Sequence, residues 1–274
     1  FFVFENVTGL LSAKVNGEPI LPSIMKALGT AYKVVSDPAI LVHNTADYGV
    51  PQIRKRIIIM GVRKDIDKKE AIDLYNDVLK THWNPETAEE ERKGLKKFVS
   101  VKDAIGDLPP VEPGEDASTN TFNYPCDNAF LKRIGKAGIH PLMDHIARKH
   151  NALDRERFAV MIRNRWTFGQ LRKEMPQYEH EHARVFDNSY VVQWWDLPSK
   201  TILAHIHKDG FQFIHPDGNQ ARSFTVREAA RIQSFPDDFF FEGCRSAAFK
   251  QIGNAVPVVM ANKIAIALKK MLDS

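Results

Sequence analysis

An α/β fold carrying a second, smaller domain is predicted by three features of the chain. Strand-sized runs occupy residues 1–4, 32–36 and 56–62, and a short helical segment at 23–28 separates the first two. Residues 258–272 repeat apolar side chains at helical spacing, as a helix packed on a core does. Between these regions, Leu108-Pro-Pro-Val-Glu-Pro-Gly114 and the polar stretch after it punctuate the chain like a domain boundary.

Each element follows from its residues. Phe1-Phe-Val-Phe is wholly apolar, which suits a strand covered on both faces. Tyr32-Lys-Val-Val-Ser alternates, and Arg56-Ile-Ile-Ile-Met-Gly-Val62 is a near-continuous run rich in β-branched residues. Ser23 stands where it can cap the helix 23–28. From 65 to 97 the chain is charged, with an acidic run at 89–91, and reads as a solvated helical insertion. Residues 201–207 and 211–215 read as a strand pair turning at Lys208-Asp-Gly210. Thr225, followed by Glu228, has the spacing of a capping box. The chain thus divides into an α/β part with a helical insertion (1–109), a second domain (110–218), and a support helix and final helix returning to the first part (219–274).

With 274 residues and 43% hydrophobic content, the chain can fill two modest cores. A net charge of +4 and a pI near 8.9 mildly favour a polyanionic partner. The two cysteines, Cys126 and Cys244, argue against a disulfide framework and for a reducing compartment such as the cytoplasm. No apolar run is long enough for a transmembrane helix and no cleavable leader is visible, so neither membrane insertion nor secretion is expected. The chain opens on Phe1 and runs straight into an apolar strand, which suggests truncation, processing or an upstream region.

Four blocks carry chemistry. Glu5-Asn6-Val7 places a carboxylate at the end of the first strand; alone, it is also what a surface acid at a strand end looks like. Tyr48-Gly-Val-Pro-Gln-Ile-Arg-Lys-Arg56 puts Gln52, Arg54 and Arg56 on one face by strand alternation. Two guanidinium groups on one face repel unless an anion or acceptor lies between them, although charge guarding an edge strand gives the same pattern. Arg227-Glu-Ala-Ala-Arg-Ile-Gln-Ser-Phe-Pro236 sets two arginines one helical turn apart, and a structural role suits them best. Gln251-Ile-Gly-Asn-Ala-Val-Pro257 reads as a Gly-Asn turn leading into the last helix.

In this order the four blocks resemble the later motifs of the DNA cytosine-5 methyltransferases. The resemblance covers essentially the whole chain but only the later half of the family pattern. The family's main cofactor contacts and its Pro-Cys nucleophile motif lie upstream of the Glu-Asn-Val block. It implies the C-terminal half of a Rossmann-like, S-adenosylmethionine-dependent methyltransferase sheet, with a smaller target-recognition domain at 110–218. Such a half would leave a sheet edge without its neighbour.

Cytosine C5 becomes nucleophilic when a thiolate adds at C6, and negative charge then develops toward N3 and O2. A carboxyl group beside N3 and an arginine beside O2 stabilise that charge. By resemblance, Glu5 takes the first role, Arg54 and Arg56 hold the flipped cytosine and its phosphate, and Asn6 and Gln52 join them as substrate contacts. Asn254 and Val256 are the implied contacts to S-adenosylmethionine. Double-stranded DNA is the implied partner, and the setting is bacterial restriction–modification. The expected activity is methyl transfer to C5 of a flipped cytosine, with the chain inactive until the missing N-terminal catalytic half joins it. The alternative is a DNA-recognition subunit of a split enzyme.

Within 110–218, Lys132, Arg133, Arg148, Lys149, Arg155, Arg157, Arg163, Arg165, Arg172 and Lys173 interleave with Trp166, Phe168, Trp194 and Trp195, as phosphate anchors or as a basic face over an aromatic core. Pro125-Cys126 stands after the Arg54 block and before Asp127, so Cys126 reads as an ordinary thiol. His180-Glu-His182 and His205-Ile-His207 lack further ligands at convincing spacing for a metal.

Overall fold

The computed structural model describes residues 1–67, 69–124, 127–135, 137–179, 190–208 and 210–273. Four strands, β1 (Phe2–Val7), β2 (Tyr32–Val34), β3 (Val42–Asn44) and β4 (Lys55–Arg63), form its principal sheet. All pairings are antiparallel, and β4 is the spine, flanked by β1 on one side and by β2 and β3 on the other. Ile57, Ile58, Ile59, Met60 and Val62 of β4 are buried, as their continuous apolar sequence requires. The final helix Val258–Asp273 sets Met260, Ile264, Ala267 and Met271 into the same core. The helix Ala71–Asp77 adds Leu74 and Tyr75. The Tyr75 hydroxyl donates to Ile58 O at 3.1 Å and accepts from Met60 N at 2.8 Å.

β1 is not covered on both faces. Val3 is 43% and Val7 52% exposed, and among the described residues β1 pairs only with β4. Its apolar run serves one face, where the Phe2 ring lies over Gly61, a position at which a Cβ would come within 2.1 Å of that ring.

Three other local expectations are corrected. The first long helix spans Ile20–Leu28, so Ser23 lies within it and does not cap it; Pro22 falls in a first turn that tolerates it and Pro19 precedes the helix. Among its described residues, the charged stretch 65–97 holds one α-helix, Ala71–Asp77, and then a short parallel pairing of His82–Trp83 with Lys96–Lys97. There the Arg92 guanidinium stacks 4.5 Å from the Trp83 ring centre, so a charge that suggested solvation covers an aromatic surface. Among the described residues, 201–215 show no strand pairing with each other. The turns Ala204–His207 and Phe211–Phe213 close on themselves, with Ile206 N donating to Leu203 O at 3.0 Å and Phe213 N to Gly210 O at 2.9 Å.

The capping box stands as expected: Thr225 Oγ1 accepts from Glu228 N at 3.2 Å, and the Glu228 carboxylate accepts from Thr225 N at 2.8 Å. The helix Val226–Ile232 that it opens is buried along its whole length. A further helix, Arg245–Asn254, absorbs the Gly-Asn pair that read as a turn. Two more cores surround these helices. One joins the helix Val101–Ile105 to Phe130, Leu131, Phe224, Ala229 and Phe249, and the other gathers Phe158, Met161, Phe168, Leu171, Tyr190 and Ile214.

Three fully buried arginines tie these parts together. Arg222 makes a two-pronged contact with Glu228 at 2.7 and 2.8 Å and donates to Val111 O at 3.0 Å. Arg231 grips Asp237 at 2.7 and 2.9 Å and also pairs with Asp107. Arg227 donates to the carbonyls of Met143, Pro236 and Phe239. Arg227 and Arg231 therefore have the structural role expected of them.

Candidate active site

The motif blocks converge where β1, the start of β4 and the link between the last two helices meet. The register sets Val7 opposite Arg56 and Glu5 opposite Ile58, so the Glu5 and Arg56 side chains reach each other diagonally. Glu5 Oε1 lies 3.0 Å from Arg56 Nε, and the two side chains keep 27% and 13% of their surface open. Arg56 Nη1 also donates to Lys55 O at 2.8 Å. Asn6 is half-buried beside Glu5, and its amide oxygen accepts from Val7 N at 2.8 Å.

Arg54 is buried and holds two carbonyls from distant segments. Its Nη1 donates to Ile202 O at 2.8 Å and its Nη2 to Gly253 O at 3.2 Å. Burial and the neighbouring Arg56 charge pull its pKa down to about 10, and Glu5 works in the opposite direction. Burial lowers Arg56 too, and there the charge and hydrogen bond of Glu5 oppose the fall. Glu5 thus supplies negative charge that offsets both guanidinium groups, and it touches that of Arg56.

Gln52 is fully buried and links all three remaining segments. It donates to Gln233 Oε1 at 2.6 Å, and its own oxygen accepts from Ile202 N at 2.8 Å. Gln233 in turn donates to Ile252 O at 2.8 Å and Ala255 O at 2.9 Å. With both its amide nitrogen and its oxygen engaged, Gln52 sets the position of its neighbours.

Asn254 ends the helix Arg245–Asn254 with its side chain exposed, and Val256 is half-buried in the link that follows. Their place is fixed by Gly253. A Cβ there would stand 2.2 Å from Ala204 N and 2.4 Å from the Leu203 carbonyl carbon, so only glycine lets the helix approach the turn Ala204–His207. The Gly-Asn pair, read from the sequence as a turn, gave no signal of this close approach.

Other expected positions fall elsewhere. Arg157 is buried against Asp154 at 3.0 Å, and Arg148 stacks over the Phe249 ring, so these bases support cores. Arg155 and Arg165 pair on the surface with Glu112 and Asp196. His207 Nδ1 lies 2.7 Å from Ala204 O. Cys126, His180 and His182 lie outside the described residues.

The α/β sheet with helices behind it matches solved methyltransferase structures in fold. The chain superposes with a TM-score of 0.66 at 23% identity on a crystal structure described as a candidate DNA modification methyltransferase of an E. coli prophage, covering 100% of this chain and 70% of that one. On the S. pombe Dnmt2 methyltransferase the TM-score is 0.50 at 12% identity, covering 99% and 67%.

The chain belongs to the C-5 cytosine-specific DNA methylase family, whose model matches residues 1–270. It is 33% identical to the type II methyltransferase M.Bpa9945I of Bacillus paralicheniformis over 99% of its own length, and 30% identical to M.DdeI of Desulfomicrobium norvegicum over 97%. It spans 60% and 61% of the lengths of those two relatives. Among the described residues, no helix is long and apolar enough to cross a membrane.

Proposed function

We propose that this chain forms the base-holding and recognition part of a type II DNA cytosine-5 methyltransferase, which methylates C5 of a cytosine flipped from duplex DNA. The observation that carries this reading is the half-open Glu5–Arg56 pair, with Arg54 buried beside it and tied to the Gly253 carbonyl. The Glu5 carboxyl group meets cytosine N3 as charge develops on the ring, and Arg56 turns a guanidinium edge to O2. Arg54 and Gln52 hold these groups in place, and Asn6 sets the end of the strand beside them.

S-adenosylmethionine supplies the methyl group when bound. The exposed Asn254 amide and the half-buried Val256 offer one polar and one apolar surface, which suits the polar end and the carbon chain of its methionine part. The region 110–218 supplies target recognition. A segment bearing the nucleophilic cysteine joins at the β1 edge, and the chain is inactive without it. The assembly works in the bacterial cytoplasm on double-stranded DNA. The exposed β1 edge equally suits the second reading, a recognition subunit whose catalytic partner is a separate polypeptide.

The test is transfer of labelled methyl from S-adenosylmethionine to mixed-sequence duplex DNA, with the chain alone and with a relative's N-terminal half added. Activity only on mixing is the expected result. Activity from the chain alone would overturn the two-part reading.

A further inference from the structure

The link 255–257 joins the last two helices, carries Val256 and follows directly on Asn254. Two consecutive, fully buried side chains of another segment, Gln233 and Ser234, hold its two ends. On the near side, Gln233 Nε2 donates to Ile252 O at 2.8 Å and to Ala255 O at 2.9 Å. On the far side, Ser234 Oγ accepts from Val259 N at 3.0 Å. An amide in the first turn of a helix has no acceptor within that helix. Pro257, just before it, has no side-chain oxygen to offer, so the cap comes from outside.

Ser234 serves this role in a strained conformation. It follows the helix Val226–Ile232 in the left-handed region, at a φ of 59°. Its own N–H donates to Arg231 O at 2.8 Å, and Phe235 N donates to Ala230 O at 2.9 Å. This pair of bonds closes a helix at a position that glycine fills most easily. A serine held there is strained, and strain of this kind persists where the surroundings fix it and clusters at functional sites. The hydroxyl is what serine has there and glycine lacks.

We infer that Ser234 is a positioning residue for S-adenosylmethionine: its hydroxyl fixes the start of the last helix, and with it the link beside Asn254 and Val256. The inference rests on the cofactor contacts proposed above and adds to them the group that holds them still. A link fixed beforehand loses little freedom when a ligand binds, so affinity should fall when the hydroxyl is removed.

The test measures labelled S-adenosylmethionine bound at equilibrium, without turnover, by the complete two-part assembly. Ser234→Ala removes the hydroxyl and keeps the strain, whereas Ser234→Gly removes both. Each should weaken binding roughly tenfold, the size of a lost cap. In the chain by itself, the Val259 amide should exchange its hydrogen faster in both variants, with exchange in the strand Lys55–Arg63 unchanged. Retention of duplex DNA should not change. Unaltered affinity in Ser234→Ala overturns the inference. So does a return to the original affinity in Ser234→Gly, which would make backbone strain the cause. A parallel loss of DNA retention marks a general structural role and overturns it as well. If Asn254→Ala and Val256→Ala both leave binding intact, the cofactor contacts themselves fail. An unsubstituted assembly that binds no S-adenosylmethionine sinks the methyltransferase reading.

Discussion

The Glu5 carboxylate lies 3.0 Å from Nε of Arg56, joined across two antiparallel strands whose register makes the contact diagonal. Glu5→Gln keeps the shape but removes the ionisable group. Methyl transfer by the complete assembly should fall at least ~100-fold, the lower range for losing a positioned acid. Thermal stability should change little, since a partly exposed pair contributes at most about 1 kcal/mol. A rate within about twofold of the unsubstituted protein would remove Glu5 from the chemistry.

Gly253→Ala tests the seam between the last motif and the turn Ala204–His207. The added methyl would meet backbone atoms at 2.2–2.5 Å, which have no flexible side chain to yield. The expected destabilisation is about 3 kcal/mol or more, seen as a lowered urea midpoint. The helix must move away from Arg54, so methyl transfer should also fall.

The Arg222–Glu228 pair is buried on both sides. Arg222→Met leaves a buried carboxylate without its counter-charge and should cost about 3–5 kcal/mol. Adding Glu228→Leu should recover much of that loss, because no unpaired charge then remains. A double variant as unstable as the single one would show that the hydrogen bonds to Val111 and Thr225 matter more than the charge pair.

Acid should unfold this protein in two overlapping stages. Burial lowers His215 from 6.5 to about 4, with Glu228 opposing. The unfolded chain therefore binds protons first, and stability falls as pH drops from 6.5 toward 4. Burial lowers His150 over the same range. Each such histidine contributes at most about 1.4 kcal/mol per pH unit. Burial resists ionisation of Glu228, but the charge of Arg222 overcomes it and holds the carboxyl well below its usual range. Its contribution is present above that range and is lost as pH falls below about 4.5. Urea midpoints measured from pH 7 to pH 4 should slope downward, and His215→Gln should flatten the slope.

The features legible in the sequence are those written in short stretches. The apolar run of β4 and the Thr225 capping box each lie within a few residues, and both stand where expected. Glu5 and Arg56 were singled out by resemblance, and only the strand register brings them into contact. The strand pair proposed for 201–215 failed because alternating apolar residues there serve two different cores: Ile206 packs with Phe224, and Ile214 with Phe158. Asp107 and Asp237 as partners of Arg231 were beyond local reading, since a loop on either side supplies each carboxylate. The burial of Gln52 escaped for a similar reason. Strand alternation gave it a face but could not show that Gln233 and Ile202 would close over it.

Among the described residues, the hydrogen bonds of the Arg54 clamp go to main-chain oxygens, those of Ile202 and Gly253. It is therefore indifferent to which side chains the clamped residues carry, apart from the glycine that closeness demands. On the function proposed above, the recognition segment could be exchanged for one that reads different DNA, provided its backbone still offers a carbonyl at the Ile202 position. On that proposal, a single guanidinium marks the border between what must stay constant for chemistry and what is free to diverge for specificity.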